Sequence, residues 1–131
     1  LLVVEKIEFM AIEIVNWLEI PYVNLKRAKH FYETLFDCQL VDMAVGEEMY
    51  PCFPNKNDEG FSGALVQYDF TKPGKNGPLV YLNAYGQMDV MISKIEVLGG
   101  KIIQEKKEIA PGFGYFMVFE DSEGNQLALQ E

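Results

Sequence analysis

A strand running straight into a helix occurs twice in this chain, and that repetition limits its fold more than any other feature. In the first copy, Trp17-Leu18-Glu19-Ile20-Pro21-Tyr22 alternates. Leu18, Ile20 and Tyr22 share one face, and Trp17 and Glu19 share the other, which is the period of a half-buried strand. Asn24 suits a helix N-cap, and from there Leu25, Ala28, Tyr32 and Leu35 recur at helical spacing, with Phe31 and Phe36 widening the stripe. In the second copy Val80 and Leu82 repeat Leu18 and Ile20. Met88, Met91, Ile95 and Leu98 then repeat Leu25, Ala28, Tyr32 and Leu35 at a constant offset of 63 residues. Gly99-Gly100 ends the second helix, because glycine enters the left-handed C′ conformation without a Cβ clash.

Three further strand-like runs follow each helix. After the first they are Cys38 to Val45, Met49 to Phe53 and Gly63 to Tyr68, with a polar turn at 54–60. After the second they are Lys101 to Glu105, Tyr115 to Glu120 and Gln126 to Gln130, joined by turns at 111–114 and 121–125. The chain therefore reads as an α+β fold of two βαβββ modules in tandem, about 14–70 and 78–131. The loop 69–78, with Lys72-Pro73-Gly74 and Asn76-Gly77, joins them. At 131 residues and 49% hydrophobic, the chain can build one domain with a real core but is short for two independent ones. We expect two half-domains sharing one sheet system. Most of Leu18, Ile20, Tyr32, Leu35, Val80, Leu82, Ile95 and Leu98 should then be buried. Residues 1–13 lie outside the repeat, and the run to Ile14 is too short and too charged to span a membrane. They read as an extra edge strand, an arm on a partner, or a vector-derived remnant.

A net charge of −9 repels phosphate backbones and anionic headgroups, which argues against nucleic-acid and membrane-surface roles. Neutral or cationic small molecules fit better. Two cysteines are too few for a disulfide framework, and no basic segment precedes an apolar run as a signal peptide requires. The expected location is the cytoplasm.

The order of elements resembles the vicinal oxygen chelate superfamily, the group of glyoxalases, bleomycin-resistance proteins and extradiol dioxygenases. The matching residues span 17–131. They are Glu19-Ile20-Pro21 ahead of Arg27-Ala28-Lys29-His30-Phe31-Tyr32-Glu33, then Gly99-Gly100-Lys101, Gly112-Phe113-Gly114-Tyr115 and Asp121-Ser122-Glu123-Gly124-Asn125. The resemblance implies modules whose mixed sheet curls around a cavity, often within a homodimer. It does not imply one reaction, since such a fold hosts lyases, isomerases, dioxygenases and plain binders. Metal-dependent members carry His or Glu on the first and last strands of each module. Carried over to this chain, those positions fall on Trp17, on Leu79 or Val80, on Ala64 or Leu65, and on Ala128. None can ligate a metal, so no metal and no cofactor is expected. His30 falls on the helix face opposite the apolar stripe and should meet solvent.

Four residues are candidates for a ligand site. Glu19 shares the cavity side with Trp17. A carboxylate among aromatic walls would have a raised pKa and act as a general base, or would pair with a ligand cation, or would be held structurally by Tyr hydroxyls or a Lys. Trp17 offers stacking area and one N–H donor, or simply fills the core. Tyr81 is the second-module equivalent of Glu19, and Trp17, Glu19 and Tyr81 are expected to converge. Phe113, between two glycines, is either a mobile flap over the cavity mouth or a plain connector. Cys38 and Cys52 read as inert, and 121–125 as only a strand connection. Two functions compete: metal-free binding of a small apolar or cationic molecule, and a cofactor-independent lyase or isomerase with Glu19 as base. A metal-dependent lyase or dioxygenase would require the ligand carry-over to be wrong.

Overall fold

The computed structural model describes Ala11, Ile12 and residues 14–131. The reading of the N-terminal segment falls mostly outside these residues. The first module comprises β1 (Leu18–Pro21), α1 (Leu25–Phe36), β2 (Val41–Val45), β3 (Glu48–Pro54) and β4 (Phe61–Val66), with a short 3-10 turn at Lys56–Asp58. The second comprises β5 (Tyr81–Asn83), α2 (Met88–Ile95), β6 (Lys101–Glu108), β7 (Tyr115–Glu120) and β8 (Gln126–Gln130). The βαβββ order thus occurs twice. Each module forms its own four-stranded mixed sheet, ordered β1-β4-β3-β2 and β5-β8-β7-β6, with the first strand parallel to the last.

Helix α1 follows from local chemistry. Asn24 accepts the amide N–H of Arg27 at 2.9 Å. Asp37, in the left-handed conformation, returns its N–H to the carbonyls of Glu33 and Thr34. The buried stripe is Ala28, Phe31, Tyr32 and Leu35. Leu25 was expected in it but is 39% exposed. Helix α2 stops at Ile95, earlier than the apolar spacing to Leu98 suggests. The N–H of Gly99 bonds the carbonyl of Glu96 and that of Gly100 the carbonyl of Ile95, with Gly99 at φ +91°.

The helix-facing sides of both sheets and both helices meet in one core. Phe31 stacks on Phe119 of β7 at 6.1 Å, and Tyr32 meets Phe53 of β3 edge-on at 5.7 Å, so α1 packs against both modules. Of the expected core, Ile20, Tyr32, Leu35 and Ile95 are buried. Leu18, Val80, Leu82 and Leu98 are only partly so. Leu18 and Leu82 lie on edge strands and Val80 adjoins one, each with a flank no neighbouring strand covers.

The segment expected to be only a strand connection is a buried clasp between the modules. Asp121, Glu123 and Asn125 are all buried. Oε1 of Glu123 accepts the N–H groups of Val23 and Asn24 at 2.9 and 2.7 Å, placing a carboxylate at the N-terminus of α1. Its Oε2 accepts Nε of Arg27 at 2.7 Å and the Ser122 hydroxyl at 2.8 Å. Burial pushes the Glu123 carboxyl up. Arg27, the Asn24 amide, Ser122 and the Val23 amide outweigh it and bring the carboxyl down to about 2. Tyr32 donates its hydroxyl to Asp121 Oδ2 at 2.6 Å inside the core, and burial with the Asp121 charge pushes that phenol well up. Asn125 donates to the carbonyl of Pro21 at 2.8 Å, tying the end of β1 to the second module.

Candidate functional site

Strand registers fix which side chains look away from the helices. In the first sheet Glu19 pairs with Ala64, Ala64 with Cys52, and Cys52 with Val41, so these four form one row across the outer face. In the second sheet the equivalent row is Tyr81, Ala128, Val118 and Gln104. The internal repeat is thus exact at the level of a face: Glu19 corresponds to Tyr81 and Ala64 to Ala128. Leu65 and Val80, the other positions considered for a metal ligand, pack into or against the core.

On the first outer face Trp17 donates its indole N–H to Glu19 Oε2 at 3.3 Å, and Tyr68 donates its hydroxyl to the same oxygen at 3.0 Å. Tyr68 also folds with Tyr50 and Phe61 over Cys52, Ala64 and Val66 as a small second apolar cluster, and it stacks on Phe70 at 4.6 Å. The neighbouring Tyr50 hydroxyl, burial and Glu19 push the Tyr68 phenol well above its ordinary 10, so it remains a donor across the physiological range. Trp17 is 41% exposed and fills no core. Glu19 is exposed too, and it borders a cavity of about 170 Å³ between β1, the linker around Lys72 and Asn76, and the start of β8.

Tyr81 does not join this cluster. It borders a different groove, about 380 Å³, with Asn83, Gln130 and Glu131, and its ring lies 6.3 Å from Phe116. Repeat symmetry puts Glu19 and Tyr81 at equivalent positions on two separate sheets, which is not the same as bringing them together within one chain. Phe113 is 70% exposed in the β6–β7 turn, where its N–H bonds the Ala110 carbonyl. His30 is exposed, as expected. Cys52 and Cys38 are free thiols raised by burial, Cys38 also by Glu33 and Asp37, and Cys52 by Asp42. Sequence reasoning missed Tyr68 and Tyr50. Both are aromatic, but only the registers place Tyr50 and Cys52 on the face of Glu19, and only the chain's return past β4 brings Tyr68 to Glu19.

The residues at the superfamily's metal positions do not fit a metal ion. Trp17, Ala64, Leu79 and Ala128 offer no donor, and the other carboxylate on the face of Glu19, Glu48, lies at the far end of β3 opposite Val45. Among the described residues no three His, Cys, Asp or Glu side chains converge. Among the described residues, no helix is long and apolar enough to cross a membrane.

A double module with these two faces defines one class of protein, and the sequence comparison agrees. Residues 14–129 match the model of the Glyoxalase/Bleomycin resistance protein/Dioxygenase superfamily, and the chain belongs to it. Solved structures repeat the fold at low identity. The antibiotic binding protein TnmS3 from Streptomyces sp. CB03234 is 22% identical, with a TM-score of 0.62 over 93% of this chain and 98% of its own. A glyoxalase/bleomycin resistance protein from Albidiferax ferrireducens is 18% identical, with a TM-score of 0.64 over 90% and 98%. The fosfomycin resistance protein FosX from Listeria monocytogenes, in a mutant form with Mn(II) and 1S,2S-dihydroxypropylphosphonic acid, is 14% identical, with a TM-score of 0.59 over 92% and 90%. No curated protein matches the chain.

Proposed function

We propose that this chain binds a small, largely apolar or cationic molecule without a metal, on the outer face of the first sheet. The observation that carries this reading is the cluster of Trp17, Glu19 and Tyr68 above the Val41–Cys52–Ala64 row. It is an aromatic wall around the Glu19 carboxylate, on a sheet face that no other element among the described residues covers. The superfamily's breadth leaves chemistry to the site. Here the site has stacking surface and a charge but lacks the donors a divalent ion needs. TnmS3, an antibiotic binder of the same fold, is a precedent for the class of activity.

The same face carries Val41, Met43 and Val45, 41%, 38% and 61% exposed, and the second face carries Tyr81 at 49%. Uncovered apolar side chains in that number mark a contact surface. A homodimer that closes both faces accounts for them, and the free thiols suit a reducing cytoplasm.

The test is calorimetric titration of protein dialysed against EDTA with 4-phenylbenzyl alcohol, an apolar neutral probe. The expected result is saturable binding that added Zn(II) or Mn(II) does not change and that Trp17→Ala weakens. Absence of binding, or binding only with metal, would refute the reading. Glu19 as a general base is the competing assignment. A substrate turned over by the native protein and bound but not turned over by Glu19→Gln would favour it.

A further inference from the structure

Both hydrogen bonds to Glu19 fall on one oxygen. Trp17 and Tyr68 donate to Oε2, while among the described residues Oε1 receives no donor and no Lys or Arg forms an ion pair with the carboxylate. A carboxylate has lone pairs for about four donors. Glu19 therefore presents one oxygen held in place and one open, beside the cavity that runs from β1 to the linker. Next to the carboxylate are two π surfaces, the indole of Trp17 and the stacked Tyr68–Phe70 pair, whose rings are 4.6 Å apart and within 13° of parallel. Phe70 is 83% exposed, and stacking holds a large ring in water beside the site.

From this asymmetry we infer that the ligand carries a protonated amine that still has an N–H, which donates to Glu19 Oε1 while its apolar carbon skeleton lies against Trp17 and Tyr68. The inference rests on the binding role proposed above and names its ligand class. A π surface attracts any cation, quaternary ones included. An unshared carboxylate oxygen adds a strong, directional bond only to a cation that can donate. An anionic ligand would meet the Glu19 carboxylate and, overall, a chain of net charge −9, with Lys72 of the linker as the one cationic side chain lining the cavity.

The pinned oxygen also predicts what a neutral isostere does. In Glu19→Gln the two donors on Oε2 orient the amide, so its carbonyl takes the place of Oε2 and its NH2 that of Oε1. A donor then faces the ligand's donor. The amine loses the charge and the hydrogen bond together, whereas a neutral or N–H-free probe loses much less.

Three probes of one skeleton separate the contributions: 4-phenylbenzylamine, its N,N,N-trimethylammonium analogue and 4-phenylbenzyl alcohol. Binding is followed calorimetrically and by the emission of Trp17, the only tryptophan in the chain. The expected order is amine tightest, trimethylammonium next and alcohol weakest. Glu19→Gln should weaken the amine by roughly 10- to 150-fold, the scale of a charge-assisted hydrogen bond, and the alcohol by less than about threefold. Equal affinity of amine and trimethylammonium, or an equal loss for all three probes in the variant, would overturn this inference and leave the binding role standing. Failure of all three probes, the alcohol included, would overturn both. The melting temperature of the variant guards against a folding artefact, since Glu19 is exposed and its replacement should not move it.

Discussion

Replacing Glu123 by Gln tests the clasp that holds the modules together. The carboxylate is fully buried as a side chain and accepts from Val23, Asn24, Arg27 and Ser122. Two routes give the same magnitude. A carboxyl moved from an ordinary 4.5 down to about 2 contributes about 3 kcal/mol at neutral pH. Breaking one side of a buried, hydrogen-bonded charge pair costs about 3–5 kcal/mol. Gln keeps the shape and one carbonyl for the α1 amides, but its NH2 must face either those amides or Arg27. The expected loss is about 3 kcal/mol, or roughly 10 °C in melting temperature for a chain of this size. The sign with pH follows from the depressed native value. The stabilisation is complete above the unfolded value of 4.5 and is lost as pH falls through about 2. Urea melts of native and variant protein at neutral pH and at stepwise lower pH should therefore draw together below about pH 4.5 and converge only below about pH 2. A variant within about 0.5 kcal/mol of native at neutral pH, the usual range of a surface change, would refute the clasp. A gap that persists undiminished in acid would refute the assignment of its charge.

Gly100→Ala should cost about 1–3 kcal/mol by overpacking, because a Cβ there would meet the Glu120 carbonyl oxygen at 2.5 Å, Ile95 at 2.9 Å and Phe31 at 3.0 Å. Chemical denaturation checks it. Elemental analysis of purified protein should find no stoichiometric divalent metal, and EDTA should leave the melting temperature unchanged, since structural metal sites couple to stability. Light scattering at micromolar concentration should give twice the chain mass, and Met43→Glu, which places a charge on the apolar outer face, should shift the protein toward monomer.

The repeat was legible because its signals are local: alternation in Leu18-Glu19-Ile20, the helical spacing of Ala28, Tyr32 and Leu35, and the cap at Asn24 each act within a few residues. The face shared by Trp17 and Glu19 was legible for the same reason. What sequence could not give was anything set by pairing between distant segments. Tyr68 meets Glu19 from 49 residues away, and Glu123 caps α1 from 99 residues away. A motif such as Asp121-x-Glu123-x-Asn125 looks like an ordinary polar turn until the element it clasps is known. The expected meeting of Tyr81 with Glu19 failed for a related reason: symmetry fixes equivalent positions, while distance depends on how the two sheets are joined.

The most direct measurement is a crystal structure of the metal-stripped protein with 4-phenylbenzylamine. The account predicts the biphenyl between Trp17 and Tyr68, the amine nitrogen about 2.7–3.0 Å from Glu19 Oε1, and no ion in the site. A probe coordinated to a metal, or seated in the Tyr81 groove with the Glu19 face empty, would contradict it.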